Sequence, residues 1–198
     1  MKKLLLLGML VLPSVVWAQT GEGWFSAGES ILSNNGIGTA AGSGGTPNDY
    51  KLDNGFRFGF RFTINTGTRM GHEVQYAYNR THLTYLGVDQ GGMAIHQGGY
   101  NFLYYATPEG SKFRPFATGG VHFSNFVPPG SSATYGGGST KFGFNYGAGL
   151  KVKITSLFAL RLDVRQYQTG KPDFGGALTG ASGLLRQTEV SAGFGIYF

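Results

Sequence analysis

Nine consecutive residues, Phe56-Arg57-Phe58-Gly59-Phe60-Arg61-Phe62-Thr63-Ile64, set a large apolar side chain at every even position and Arg, Gly or Thr at every odd one. A period of two sends alternate side chains to opposite faces, which is the geometry of a strand and of no helix. Weaker versions of the pattern recur over 24–33, 70–84, 94–106, 113–124, 141–154, 160–165 and 189–198, making eight strands in all. Composition agrees. Glycine occurs 35 times in 198 residues, a burden no helical protein carries when each interior Gly costs about 1 kcal/mol against Ala. With 16 Phe and 11 Tyr the chain is too aromatic for a disordered segment. Zero cysteines exclude a disulfide framework and thiolate metal sites.

The connections alternate in length. Polar or glycine-rich stretches at 34–53, 85–92, 125–140 and 168–185 follow the odd strands, and tight links at 66–69, 108–112 and 155–157 follow the even ones. Long loops therefore gather at one end and short turns at the other, as in a barrel with short periplasmic turns and long external loops. The loops, rich in Gly, Ser, Thr and Asn and poor in charge, are expected to be mobile.

Two eight-stranded barrels fit the alternation, and they differ by being turned inside out. A lipocalin-like soluble barrel points Phe56, Phe58, Phe60 and Phe62 inward. An outer-membrane barrel points them at lipid and Arg57 and Arg61 into the lumen. Eight strands enclose a space that side chains just fill, and the many large apolar residues would overfill it. The opposite face is rich in glycine, leaving room for long cationic side chains. The expected fold is thus all-β, an eight-stranded antiparallel up-and-down transmembrane β-barrel over residues 19–198, with both termini periplasmic.

Residues 1–18 read as a signal peptide: Lys2-Lys3, an apolar run from Leu4 to Val16, then Val16-Trp17-Ala18, with cleavage between Ala18 and Gln19. The formal charge of +6 falls by two when Lys2 and Lys3 leave. The expected lumen holds Arg57, Arg61, Arg114, Lys151, Lys153, Arg161 and Arg165 against Glu73, Asp163 and Glu189. Buried charges must be paired or solvated. A turn about Gly67-Thr68 sets Arg61 opposite Glu73, the last hairpin brings Arg165 near Glu189, and Lys151 reaches Asp163 diagonally. A filled polar lumen rather than an open pore follows, its cationic excess balanced by water or a small anion. Glu29 alone breaks the pattern, falling on the lipid face and implying a bulge or a shifted register.

The C-terminal run Val190-Ser-Ala-Gly-Phe194-Gly-Ile196-Tyr-Phe198 resembles the signal by which bacterial outer-membrane proteins are recognised for insertion, through Phe194, Ile196 and Phe198. Phe113-Arg114-Pro115-Phe116 and Phe142-Gly-Phe-Asn-Tyr-Gly-Ala-Gly149 are similar to the small OmpA/OmpX-like outer-membrane β-barrel family. That resemblance spans the mature chain and is strongest from Arg114 to Arg165. It implies residence in the cell outer membrane, contact with outer-membrane lipid and lipopolysaccharide, and handling by the outer-membrane assembly machinery. It implies little about activity, since the family is functionally mixed.

His122-Phe123-Ser124-Asn125 resembles the His-x-Ser-Asn element of outer-membrane lipid A deacylases, where base and nucleophile share a strand face. Here the element lies on the fifth strand instead of the penultimate one. No carboxylate occurs between Glu109 and Asp163, and parity turns His122 and Ser124 to the lumen. His72, His82 and His96 lack metal-site spacing and read as interfacial residues. Gly36-Ile-Gly38 lacks phosphate-loop spacing and precedes no helix. The pI near 9.5 does not imply nucleic acid, because the cations are dispersed. Tyr76, Tyr78, Tyr100, Tyr104 and Tyr146 are expected in aromatic girdles. No cofactor, metal or catalytic residue is implied. The expected function is a non-enzymatic outer-membrane protein for envelope integrity or surface interaction, its loop ligand unspecified. The alternatives are a narrow OmpW-like transporter of small apolar molecules, hinted at by Phe116 and Leu103, and a lipid A-modifying hydrolase.

Overall fold

The computed structural model describes residues 20–131 and 138–198. The leader, its cleavage point at Ala18 and Gln19, and part of the 125–140 loop lie outside the described residues. Eleven strands form one sheet system: β1 (Gly21–Ser33), β2 (Gly36–Ala40), β3 (Tyr50–Leu52), β4 (Gly55–Thr66), β5 (Met70–Tyr85), β6 (Val88–Tyr105), β7 (Phe113–Val127), β8 (Ser139–Lys153), β9 (Phe158–Gly170), β10 (Leu178–Thr179) and β11 (Leu184–Tyr197). Eight of them close a barrel in the cyclic order β1, β4, β5, β6, β7, β8, β9, β11, every pair antiparallel. Closure leaves no strand edge in lipid, where unpaired backbone groups would each cost several kcal/mol.

The register fixes the tilt. From Gly21 the Cα partners run through Ile64, His72, Phe102, Gly119, Tyr146, Gln166 and Thr188 and return to β1 at Ile31, ten residues beyond the start. A stagger of that size obliges the strands of an eight-stranded barrel to lean by roughly 35–45°. Parity then separates the faces. Phe56, Phe58, Phe60, Val74, Phe144, Leu162 and Phe194 are exposed on the outside, while Arg57, Arg61, Glu73, Arg161 and Glu189 are buried within.

Several expectations about connections and register are corrected. The stretch 85–92 is no long loop: β5 and β6 extend toward each other and turn on Leu86-Gly87, with φ of 49° and 85°. Strands β9 and β11 also reach further outward than their alternation shows, because their outer ends carry Gln166, Gln168, Arg186 and Thr188 on the outside. Glu29 needs no bulge. The register of β1 is regular, and Glu29 sits exposed between Phe56 and Val190, one pair from the outer end of β4.

The loops 34–53 and 168–185 are ordered. Strand β2 pairs with β3, β3 with β5, and β10 with β2, so they prolong the barrel wall outward into a dome. Beneath it Leu32, Ile37, Leu52, Leu83, Met93, Ile95, Phe126 and Leu185 form a buried apolar cluster, with Tyr50, Phe174 and Leu178 packed against it. Glycine-rich composition concealed this because each segment contributes only one or two apolar side chains.

Candidate functional site

Between the dome and the periplasmic mouth the lumen is filled in layers. The mouth layer centres on Glu22, which accepts hydrogen bonds from Lys151 Nζ, Trp24 Nε1 (2.7 Å) and Asn65 Nδ2 (2.5 Å). Lys151 also donates to the Tyr105 hydroxyl at 2.7 Å. Tyr105 packs there with Leu103 and Phe116.

The middle layer is a network of arginines and carboxylates. Arg161 Nη1 meets Glu73 at 2.6 Å and its Nε meets Asp163 at 2.7 Å. Arg165 Nη2 bridges Glu73 at 2.8 Å and Asp163 at 2.9 Å. Arg61 Nη2 reaches Glu189 at 2.5 Å, and Arg57 Nε lies 3.2 Å from the same carboxylate. Above this comes a layer of neutral polar groups. Tyr167 donates to Glu189 at 2.9 Å, Gln97 donates to Gln187 at 2.8 Å and to Ser124 at 3.0 Å, and Arg57 donates to Asn79 at 3.0 Å. The apolar cluster of the dome closes the stack. Paired charges at this density are expensive to desolvate and are retained only with near-complete hydrogen bonding.

The glycines explain how so much fits. A Cβ at Gly147 would lie 2.8 Å from Arg165 Cγ, one at Gly149 2.4 Å from the Phe116 ring, and one at Gly195 2.4 Å from the Trp24 indole. Glycine on the inner face thus makes room for aromatic as well as cationic side chains.

Of the charges assigned to the lumen, Arg57, Arg61, Glu73, Arg114, Lys151, Arg161, Asp163, Arg165 and Glu189 are buried. Lys153 is not: it is only half-buried at the periplasmic mouth, with Nζ over the Tyr197 ring. The pairings differ from expectation. Arg61 faces Gln75 across the ladder and Thr63 faces Glu73, because the turn is centred one position later than expected, yet Arg61 Nε still lies 3.9 Å from the Glu73 carboxylate as an ion pair. Arg165 and Glu189 are ladder partners, yet each finds its counter-charge elsewhere. Lys151 takes Glu22, not Asp163. The alternation that marks the first strand begins at Trp24 and so does not reveal Glu22, which parity carried two residues further back places on the inner face. Among the described residues the lumen therefore holds six buried cations against the four carboxylates Glu22, Glu73, Asp163 and Glu189.

The hydrolase-like element is assembled differently from a catalytic pair. His122 Nε2 bonds the Thr169 hydroxyl at 2.7 Å, and Ser124 accepts from Gln97. His122 Nδ1 has no partner among the described residues, so no carboxylate orients the ring as a general base requires. The other histidines face outward: His72 bonds Tyr100 at 2.5 Å, His96 bonds Tyr76 at 2.7 Å, and His82 bonds Asp89 at 2.9 Å. Tyr76, Tyr100, Tyr104 and Tyr146 are exposed on the outer wall. Phe194, Ile196 and Phe198 are likewise exposed.

No curated protein matches the sequence. Among solved structures, Neisserial surface protein A is similar at a TM-score of 0.59 and 15% identity, covering 91% of this chain and 97% of that one. OprG from Pseudomonas aeruginosa is similar at 0.58 and 15%, covering 90% and 96%. The N-terminal β-barrel domain of Pseudomonas aeruginosa OprF follows at 0.52 and 14%, covering 91% and 97%. At such identity these likenesses speak for the fold. The outer membrane protein beta-barrel domain model matches residues 4–198. With its closed barrel, its apolar outer wall and that match, this chain belongs to the outer membrane protein beta-barrel domain family and resides in the outer membrane.

Proposed function

We propose that the protein is a closed, non-enzymatic barrel that anchors a rigid external dome for contact with molecules at the cell surface. One observation carries this reading. The β5–β6 hairpin ends in Leu86 and Val88, 66% and 64% exposed, on a base tied to the neighbouring 34–53 segment. Leu86 N–H donates to the Asp49 carbonyl at 2.8 Å, and Tyr50 and Tyr85 pack with ring centroids 4.7 Å apart. Exposed apolar side chains on a fixed scaffold are what a binding surface needs, since little ordering entropy remains to be lost on contact. The outward Phe rows would then contact outer-membrane lipid and lipopolysaccharide, and the strand ending in Phe194, Ile196 and Phe198 would present the assembly signal.

The filled lumen supports anchoring over conduction, and the His122 environment speaks against hydrolysis. Deleting the gene and scoring adhesion, permeability and lipid A composition separates the readings. Loss of adhesion, restored by the wild type and not by a Leu86→Asn, Val88→Ser variant, is expected. Planar-bilayer recording of the purified protein is expected to show no large, steady conductance. Such a conductance would overturn closure, and loss of apolar-solute uptake with adhesion intact would favour the narrow transporter.

A further inference from the structure

The periplasmic mouth contains a cavity of about 250 Å³ lined by Thr20, Glu109, Ser111, Arg114, Lys153 and Tyr197, among others. Its chemistry is unbalanced. Arg114 is 3% exposed, with its guanidinium 3.6 Å over the Tyr105 ring. Among the described residues its one hydrogen bond is a long contact from Nη2 to the Thr68 carbonyl, at 3.3 Å, and its Nε has no partner. The nearest carboxylate, Glu22, lies 3.7 Å from Nη1, but Lys151, Trp24 and Asn65 already engage both its oxygens. Lys153, across the cavity, makes no ion pair among the described residues. A buried guanidinium left this poorly satisfied is costly unless a further acceptor reaches it.

We propose that this mouth binds a small oxyanion, a phosphate or phosphate ester, gripped by Arg114 and Lys153 with the Ser111 and Tyr197 hydroxyls as further donors. A guanidinium fork matches two phosphate oxygens at once, and an ammonium opposite it supplies a second charge. The volume, several times one water's ~30 Å³ share, admits a phosphate carrying a short organic group. Glu109 is the one carboxylate on the lining, and it accepts from the Thr20 hydroxyl. Burial pushes its carboxyl above the ordinary range, against the opposing pull of Arg114, Lys151 and Lys153 and with a push from Glu22. Protonation of Glu109 would convert it from a repelling charge to a donor. The site is independent of the external dome and stands or falls without it.

The test uses the mature protein in zwitterionic detergent, titrated with inorganic phosphate, glycerol phosphate and sulfate, with binding read by calorimetry. Saturable binding is expected, weakened about tenfold by Lys153→Gln and abolished by Lys153→Glu, with the folded-to-unfolded shift on gels checking that both variants fold at this half-buried position. Glu109→Gln, which removes the carboxylate from the lining, should tighten sulfate binding at constant pH. Repeating the phosphate titration in phosphatidylcholine and phosphatidylglycerol nanodiscs identifies the source. Competition by phosphatidylglycerol assigns a lipid headgroup, and its absence a free solute. No saturable binding to any of the three anions, or equal binding by wild type and Lys153→Glu, would overturn the proposal.

Discussion

Glu73 on β5 and Arg161 on β9 stand on diametrically opposite strands of the barrel, and their side chains meet across the lumen at 2.6 Å. Arg165 joins the same carboxylate at 2.8 Å. Glu73 is thus the point where two walls are tied together. Glu73→Gln keeps the shape and leaves two buried guanidiniums short of counter-charge, with Asp163 alone between them. Breaking a buried pair in this way costs about 3–5 kcal/mol. Urea unfolding in lipid vesicles, followed by the folded-to-unfolded shift on gels, should register that loss. Glu29→Gln, on the exposed outer wall, should change stability by less than about 1 kcal/mol.

The inner membership of Glu73, Arg161 and Arg165 was legible because parity needs only one anchored residue per strand, and Phe56–Ile64 anchors it strongly. Partner choice was not. Which inward residues meet depends on the ten-residue stagger and on side chains reaching across the barrel, neither of which a single hairpin reveals. A one-position shift in the β4–β5 turn is enough to change the ladder partner of Arg61 from Glu73 to Gln75, although the Glu73 carboxylate still lies 3.9 Å from Arg61 Nε. The dome was invisible for another reason. Ile37 and Leu52 are isolated apolar residues in polar segments, and their burial is decided by Leu83, Met93, Phe126 and Leu185 from distant strands.

The dome rests on those isolated residues. Leu52 is fully buried, and Leu52→Ala should cost about 2–5 kcal/mol through lost burial and the cavity left behind. The charged layers below do not touch it, so the barrel should still insert and run as folded. Limited proteolysis of intact vesicles should show new cleavage between Ala40 and Tyr50. An unchanged cleavage pattern would mean that the cluster does not hold the loop.

Acid should release the same loop by another route. The Asp49 carboxylate accepts from the Thr46 hydroxyl at 2.6 Å and from the Thr39 hydroxyl at 2.8 Å, as well as from Thr46 N–H at 3.0 Å. These hydrogen bonds, Thr46 first and Thr39 second, hold its carboxyl below the ordinary aspartate value of 3.8. A carboxyl depressed in the folded state stabilises fully above its unfolded value and loses that contribution as pH falls through the folded one. Protection of the Thr46 and Asp49 amides, taken as the exchange rate relative to that of the unfolded chain at the same pH, should therefore be high at pH 5 and fall below pH ~3.8. Asp49→Asn should remove that pH dependence.

Leu86 is held at φ 49° at the tip of the β5–β6 hairpin, a left-handed conformation that costs an L-residue with a Cβ roughly 1–2 kcal/mol. Asn and Gly fill such positions readily in two-residue turns, so a bulky leucine there is strained. Strain of this kind is retained where it serves a site, and here it displays a 66% exposed apolar side chain above the dome. Leu86→Asn should therefore raise the hairpin's local stability by about 1 kcal/mol, read as slower exchange at the Tyr85 and Val88 amides. It should at the same time weaken adhesion of cells that depend on this protein. Stability gained with adhesion unchanged would leave the leucine a tolerated defect, and the surface-contact role would have to be sought elsewhere on the dome.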